Sequence, residues 1–215
     1  MERITTRSRW FTHRGIITHR GILSLLALIV VFPMSAQTAQ QVLDKTASVV
    51  AAKQGAQASF TIKGEHLNTS GTIAIKGRKF HASTPQAIVW FDGKTQWTYM
   101  KNNDEVNVAN PTEAQLQAIN PYTFIYMYKQ GYTLDLKKKG ANYEVHLTAQ
   151  NKQRGIPEMY ITVNQKTSVP SQIRMRQKSG WTTIDIGNFQ KKNLSDAVFR
   201  FNSKDYPNAE VIDLR

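Results

Sequence analysis

The sequence contains no cysteine among its 215 residues. It cannot form a disulfide, offers no thiol nucleophile and cannot be lipidated at a cysteine. A chain of this length is nevertheless long enough to bury a sizeable core. We therefore expect a single domain that is held together by packing alone.

Residues that could carry catalytic chemistry are few and scattered. Past residue 36 the histidines are His66, His81 and His146, and each stands alone in a strand-type segment. A metal site needs several such ligands at close spacing. No Gly-x-Ser-x-Gly elbow occurs, and Gly93-Lys94-Thr95 lacks the upstream glycine of a phosphate loop. The pattern favours a binding protein over an enzyme, with no metal and no cofactor. A carboxylate pair that acts on glycans or lipids is the least favoured alternative.

The sequence also lacks a long hydrophobic run. Its longest, Ile22–Phe32, spans 11 residues, follows five arginines and leads into Pro33-Met34-Ser35-Ala36. That run is short for a membrane span, and the order of basic, apolar and small residues is typical of a secretory signal peptide. We predict a signal peptide over residues 1–36 and one domain over 37–215. Cleavage is expected after Ala36, with Ala39 as the alternative site and an uncleaved anchor helix as the alternative interpretation.

Acidic residues are fewer than basic ones, 15 against 28, so the net charge is +13. Removal of residues 1–36 takes away five arginines and one glutamate, which leaves +9. The basic residues are scattered, and the densest group is Lys137-Lys138-Lys139. A lysine cluster at the end of a strand usually protects a sheet edge from aggregation. Together with export, this argues against nucleic acid as a partner, and we expect a monomer.

The hydrophobic periodicity predicts one helix followed by many short strands. Residues 38–54 follow the spacing of one amphipathic helical face, and Gly55 is a reasonable stop. The residues of that face are Val42, Leu43, Thr46, Val49, Val50 and Lys53. From Ala58 onward the period is two. About ten or eleven strands recur at 8–12-residue spacing. This spacing indicates an antiparallel meander that curls into a sandwich or an incomplete barrel.

The clearest local signal is a hairpin. Ala87–Phe91 and Lys94–Tyr99 are strand-type runs that flank Asp92-Gly93, a pair that favours hairpin turns. Both faces of this hairpin are apolar, because Ile88 and Trp90 point one way while Val89 and Phe91 point the other. A sheet with one face in water alternates cleanly. Something other than water must therefore cover the second face.

Residues 111–131 interrupt the strand pattern with a predicted helical insert. The stretch after Asn120-Pro121 is apolar or aromatic nearly all round, so this helix is either buried or covers a hydrophobic surface. We predict that it forms a lid over the sheet. The lid residues would be Leu116, Phe124, Ile125 and Tyr128.

A curled sheet of this size either fills its interior with its own side chains or leaves a cavity for an apolar ligand. A packed core is the simpler interpretation for any single residue, but the mixture of large and small side chains favours a cavity. The predicted lining consists of Ile73, Ile75, Phe80, Ile88, Trp90, Trp97, Tyr99, Val106, Val108, Tyr143 and Val145.

Three segments carry a resemblance to a known family: residues 71–80, the hairpin with Asp92–Tyr99, and the ending Phe199–Asp213. With the signal peptide and the first helix, they resemble the periplasmic outer-membrane lipoprotein carrier (LolA-like) family. The resemblance implies a mainly β fold with α: an unclosed antiparallel β-barrel lidded by an N-terminal helix and a helical insert. It also implies that Arg78 latches the lid.

The implied function is to shield the acyl chains of lipoproteins in a hydrophobic cavity across the periplasm. The implied partners are acylated lipoproteins, an inner-membrane transporter that releases them and an outer-membrane acceptor. The alternative is a sensor or accessory domain of the same fold that binds a protein or peptide without carrying lipid, by strand addition at a sheet edge.

Overall fold

A computed structural model describes residues 37–65, 67–112, 115 and 127–215. The predicted signal peptide and most of the predicted helical insert lie outside these residues. No helix in the described part of the chain is both long enough and apolar enough to cross a membrane.

One helix, α1, spans Ala39–Val50. Thr38 caps it: the Thr38 side chain accepts a hydrogen bond from the Gln41 backbone N–H, and the Gln41 side chain accepts one from the Thr38 N–H. This capping box satisfies two of the amide groups that a helix start leaves unpaired. The predicted helix is confirmed, but it ends four residues early. Gly55, at φ +104°, instead leads the chain into the first strand.

Twelve strands follow, against the ten or eleven predicted. They form one sheet in the order β12-β6-β5-β4-β3-β2-β1-β11-β10-β9-β8-β7. All pairings are antiparallel except β12 with β6. The strands are β1 Ala56–Lys63, β2 Asn68–Lys76, β3 Lys79–Ser83, β4 Ala87–Phe91, β5 Gln96–Met100, β6 Glu105–Ala109, β7 Tyr132–Lys139, β8 Asn142–Ala149, β9 Glu158–Asn164, β10 Pro170–Gln177, β11 Gly180–Lys191 and β12 Glu210–Asp213.

The sheet is not closed by hydrogen bonds, because β12 and β7 are its two edges. Helix α1 packs on one face, which we call the inner face, and contacts β7 and β8. The architecture is an unclosed antiparallel β-barrel with a helical lid, as predicted.

The predicted hairpin is present, with a longer connection than a two-residue turn. Phe91 pairs with Gln96, so four residues join β4 to β5. Gly93 has φ +104°, the left-handed region that glycine enters at little cost. The Asp92 carboxylate accepts hydrogen bonds from the backbone N–H groups of Lys94 (3.0 Å) and Thr95 (2.9 Å), which fixes the turn.

The cover on the second face of this hairpin is the chain's own C-terminal segment. After β11 the chain makes two short 3₁₀ turns, Asp196–Phe199 and Ser203–Asp205, before β12. The ring centroid of Trp90 lies 5.6 Å from those of Phe201 and Tyr206. Phe199 is fully buried beside Ala74. The expectation that something other than water covers this face is confirmed.

Candidate functional site

Strand register aligns a row of aliphatic side chains across five strands of the inner face. Val145 pairs with Ile161, Ile161 with Ile173, Ile173 with Ile184, and Ile184 with Ile62. Directly paired residues share a face of the sheet. Val145, Ile161 and Ile173 are fully buried, whereas Ile184 and Ile62 are only half-buried. The cover over this row therefore stops part way across the sheet.

The next row repeats the pattern. Phe60 pairs with Ile186, and both are half-buried. Together with Ile62 and Ile184 they form what we call the inner-face patch: Phe60, Ile62, Ile184 and Ile186. In a solid core, large apolar side chains at the centre of a sheet are closed off from water. This patch keeps part of its apolar surface accessible.

Helix α1 accounts for the buried part of the inner face. Its side chains Val42, Leu43 and Val50 are buried in the same cluster as Val145 and Ile161. The helix contacts β7 and β8, which lie on the far side of the sheet from β1 and β2. Residues of β1 and β2 belong to the same buried cluster, among them Ala58 and Ile73. Burial within β1 falls along the strand, since Ala56 and Ala58 are buried whereas Phe60 and Ile62 are half-buried.

Gly71 allows the chain to approach itself closely beside the inner-face patch. It pairs with Phe60, and a Cβ atom at this position would lie 2.1 Å from the carbonyl oxygen of Ser83 and 2.9 Å from Phe60 Cζ. Only glycine fits there without moving the backbone of β3. The sheet can therefore bend at this point with the phenyl ring of Phe60 over the bare backbone.

Five of the eleven predicted lining residues lie on the inner face. Ile73 and Ile75 on β2 are buried with α1, and Phe80 pairs with Ile75 from β3. On β8, Val145 is buried in the same cluster and Tyr143 is partly buried against it. Their role in binding a lipid stays a prediction.

The other six residues lie on the opposite face, so the prediction that all eleven line one cavity needs correction. Ile75 pairs with Phe80 and Phe80 with Phe91, so Phe91 shares the inner face with Ile75. Successive residues of a strand point to opposite faces, so Trp90, next to Phe91, points away from the inner face. The six are Ile88, Trp90, Trp97, Tyr99, Val106 and Val108. Two of them pack under the C-terminal segment: Trp90 lies against Phe201 and Tyr206, and the ring centroids of Tyr99 and Tyr206 are 4.7 Å apart.

Charged groups tie the C-terminal segment to the strand connections. Asp196 accepts from Lys79 Nζ at 2.8 Å and lies 3.0 Å from Lys76 Nζ, and these two lysines lower the pKa of its carboxyl group. Arg200 bonds Asp92 through Nε (3.2 Å) and Nη2 (3.1 Å). Burial works to raise the pKa of Asp92, but the two turn amides and Arg200 outweigh it, so the pKa is lowered.

Of the predicted lid residues, Leu116, Phe124 and Ile125 lie outside the described part of the chain. Tyr128 is described and buried, and its hydroxyl group donates a 2.5 Å hydrogen bond to Asp44 Oδ1 on α1. Arg78 lies in the exposed turn between β2 and β3, and its role as the latch stays a prediction. No local pattern pointed to Asp44, because it sits on the polar face of an amphipathic helix.

The described residues contain no group of three or more His, Cys, Asp or Glu that could hold a metal ion. His81 lies 5.5 Å from the Trp90 ring, and burial lowers its pKa, which favours the neutral imidazole. The chemistry that the site offers is apolar. Among the described residues the apolar inner face of the unclosed barrel is covered only in part, an arrangement that suits hydrophobic ligands or partners.

Comparison with known proteins gives the family. The family described as "Outer membrane lipoprotein carrier protein LolA" matches residues 29–179. The chain belongs to this family. No curated protein sequence matches it.

Several solved structures are similar to this chain at low sequence identity. An uncharacterized conserved protein from Thermus thermophilus is 13% identical, with a TM-score of 0.58 over 81% of this chain and 98% of that one. A LolA superfamily protein from Nitrosomonas europaea is 12% identical, with a TM-score of 0.42 over 77% and 99%. The MucA/MucB complex from Pseudomonas aeruginosa gives 11% identity and a TM-score of 0.45 over 77% and 62%.

Proposed function

We propose that this protein is a periplasmic carrier that shields the acyl chains of lipoproteins and delivers them to the outer membrane. The observation that carries the proposal is the inner-face patch. Phe60, Ile62, Ile184 and Ile186 lie together in the middle of the sheet face on which α1 packs, and all four keep accessible apolar surface. Family membership supports the same function.

The energetics suit a carrier. Each methylene group buried is worth about 0.8 kcal/mol, so an acyl chain of about a dozen methylenes gains about 10 kcal/mol. Release then requires a cover that can open. The hydrogen bond from Tyr128 to Asp44 joins α1 to the C-terminal end of the predicted insert. We propose that this contact, with Arg78 as the further predicted latch, holds the lid over bound chains.

Export and partners follow from the same proposal. Cleavage after Ala36 would keep the capping box of Thr38 and Gln41 intact, whereas cleavage after Ala39 would remove Thr38 and uncap α1. Such a cap is worth about 1 kcal/mol. The protein would take its cargo from an inner-membrane transporter, pass it to an outer-membrane acceptor, and act as a monomer without enzymatic turnover.

The test is direct capture of acyl chains. The protein purified from a bacterial periplasm should carry acyl chains or lipoprotein that mass spectrometry detects, and it should bind a diacylated peptide but not its unacylated form. Ile184→Asp should abolish this binding, because it places a charge in the inner-face patch. Thr183→Asp is the matched control, since Thr183 is half-buried on the same strand but faces the other way.

Protein that is always empty and does not distinguish the acylated peptide from the plain one would refute the carrier function. A folded Ile184→Asp variant that keeps full acyl binding would refute the assigned site. The first result would favour the alternative, a sensor or accessory domain of this fold that binds a protein or peptide, whereas the second would move acyl binding to another part of the protein.

A further inference from the structure

Two strand connections meet at one end of the sheet. Because β1 pairs with β11, the turn after β1 adjoins the turn before β11. A Cβ atom on Gly64 would lie 3.1 Å from Thr182 Oγ1, and one on Gly180 would lie 3.4 Å from Glu65 Oε2. The two turns therefore touch and form one protruding surface.

This surface presents large apolar side chains to solvent. Leu67, in the first turn, is 52% exposed, and Trp181, at the start of β11, is 38% exposed. In the described part of the chain the other exposed large hydrophobic residues are Val211 and Leu214, at the β12 edge. Exposed apolar residues scattered singly are ordinary. Leu67 and Trp181 lie on touching turns, so together they form a small exposed hydrophobic patch.

Two cationic side chains without carboxylate partners, Arg174 and Lys178, lie beside this hydrophobic patch. The guanidinium carbon of Arg174 lies 5.1 Å from the ring centroid of Trp181 and 6.0 Å from that of Tyr160. Within the described ranges no acidic side chain pairs with Arg174 or with the exposed Lys178. Stacking holds the guanidinium plane while leaving its N–H donors available to an anion.

Among the described residues three acidic side chains lie nearby, and each of them is engaged: Glu65 in the first turn, Glu158 and Asp185. Glu158 accepts hydrogen bonds from Tyr160 and His146 and lies 3.8 Å from Arg176. Asp185 lies 4.0 Å from Lys63 and accepts from the Gln172 amide. The cations that remain available at this end of the sheet therefore favour an anionic partner.

We propose that this surface, which we call the tip (Lys63, Leu67, Arg174, Lys178 and Trp181), docks on an anionic phospholipid bilayer. Tryptophan prefers the interface between membrane and water, a leucine side chain can enter the acyl region, and arginine and lysine pair with headgroup phosphates. Ile62 directly precedes Lys63, and Ile184 follows three residues after Trp181. The strand register turns Lys63, Arg174 and Trp181 to the face opposite the inner-face patch, so docking at the tip leaves the patch on the other face of the same strands.

Sedimentation with phospholipid vesicles tests this docking. The purified protein should bind vesicles that contain phosphatidylglycerol and not vesicles of phosphatidylcholine alone, and added salt should weaken binding. Leu67→Ser and Trp181→Ser should each lower affinity about tenfold. Arg174→Gln should lower it about fivefold. Trp181 fluorescence should shift to the blue and be quenched by brominated lipid.

The chain provides matched controls. Val211→Ser and Leu214→Ser remove side chains that are 51% and 63% exposed, so they should leave vesicle binding unchanged. Leu67→Ser and Trp181→Ser should keep the binding of the diacylated peptide, which separates the tip from acyl binding. The proposal is overturned if the protein does not bind anionic vesicles, if the β12-edge controls lose as much affinity as the tip variants, or if the protein binds neutral vesicles equally well.

Discussion

The C-terminal segment gives the sharpest test of how the fold is held. Phe199 is 0% exposed and packs with Leu194 against Ala74, on the face of the sheet away from α1. Truncation of a fully buried phenylalanine to alanine costs about 3–5 kcal/mol, from lost transfer energy and the cavity left behind. Domains are stable by only about 5–15 kcal/mol. Phe199→Ala should therefore leave a marginal fold.

Urea unfolding, followed by circular dichroism and by tryptophan emission, measures this loss. With an m-value of about 2 kcal/mol/M, the midpoint should fall by about 2 M. Trp90 lies under the segment, so its emission should shift to the red before the sheet itself unfolds. Val198→Ala is the matched control. It lies in the same 3₁₀ turn but is half-buried, and its loss should be about 1 kcal/mol.

A loss from Phe199→Ala no larger than that from Val198→Ala would refute the reasoning, provided that the folded variant keeps the wild-type tryptophan emission. It would mean that the second face of the β4–β5 hairpin is stable without the segment that covers it. The cluster of Phe199, Leu194 and Ala74 would then be a contact without energetic consequence.

Three further predictions concern single contacts. Tyr128→Phe removes the donor to Asp44 and should cost about 1.5–3 kcal/mol in urea unfolding, since the acceptor is a carboxylate; an unchanged midpoint would contradict this. Gly71→Ala should destabilise by about 1–3 kcal/mol because its Cβ meets backbone, while Gly155→Ala, with nothing within 4 Å, should not. Asp92 has a pKa below its ordinary 3.8, so it stabilises the fold above that pH and the contribution is lost as pH falls through the lowered value. Asp92→Asn should flatten the decline in the urea midpoint below about pH 4, and a parallel decline would exclude this role.

Much of the fold could be predicted because local pattern determines it. The capping box and the spacing of Val42, Leu43 and Val50 place α1, and strict alternation places most strands. The Asp92-Gly93 hairpin was found from two residues. The end of α1 was missed because Gly55 serves the entry into β1 instead of the helix stop.

The candidate site was predicted only in part. Phe60, Ile62, Ile184 and Ile186 alternate as clearly as their neighbours, so their pattern marked them as strand residues but not as half-covered ones. Conversely, Trp90 looked like a lining residue, yet it packs under the C-terminal segment. Alternation assigns residues to two faces without saying which face is the inner one.

The order of residues along the chain was enough to locate the elements and to show that both faces of the central hairpin need a cover. Which cover each face receives depends on register across several strands and on a C-terminal segment far along the chain, so it emerged only from the packed molecule. Ile173 and Ile184 show the limit: they are the same residue type on paired positions, yet one is fully buried and the other half-open. The physical reason is that burial depends on packing between distant parts of the chain: Ile173 lies in the buried cluster that includes Val42, Leu43 and Val50 of α1, and Ile184 lies only partly against it. No local pattern encodes such packing.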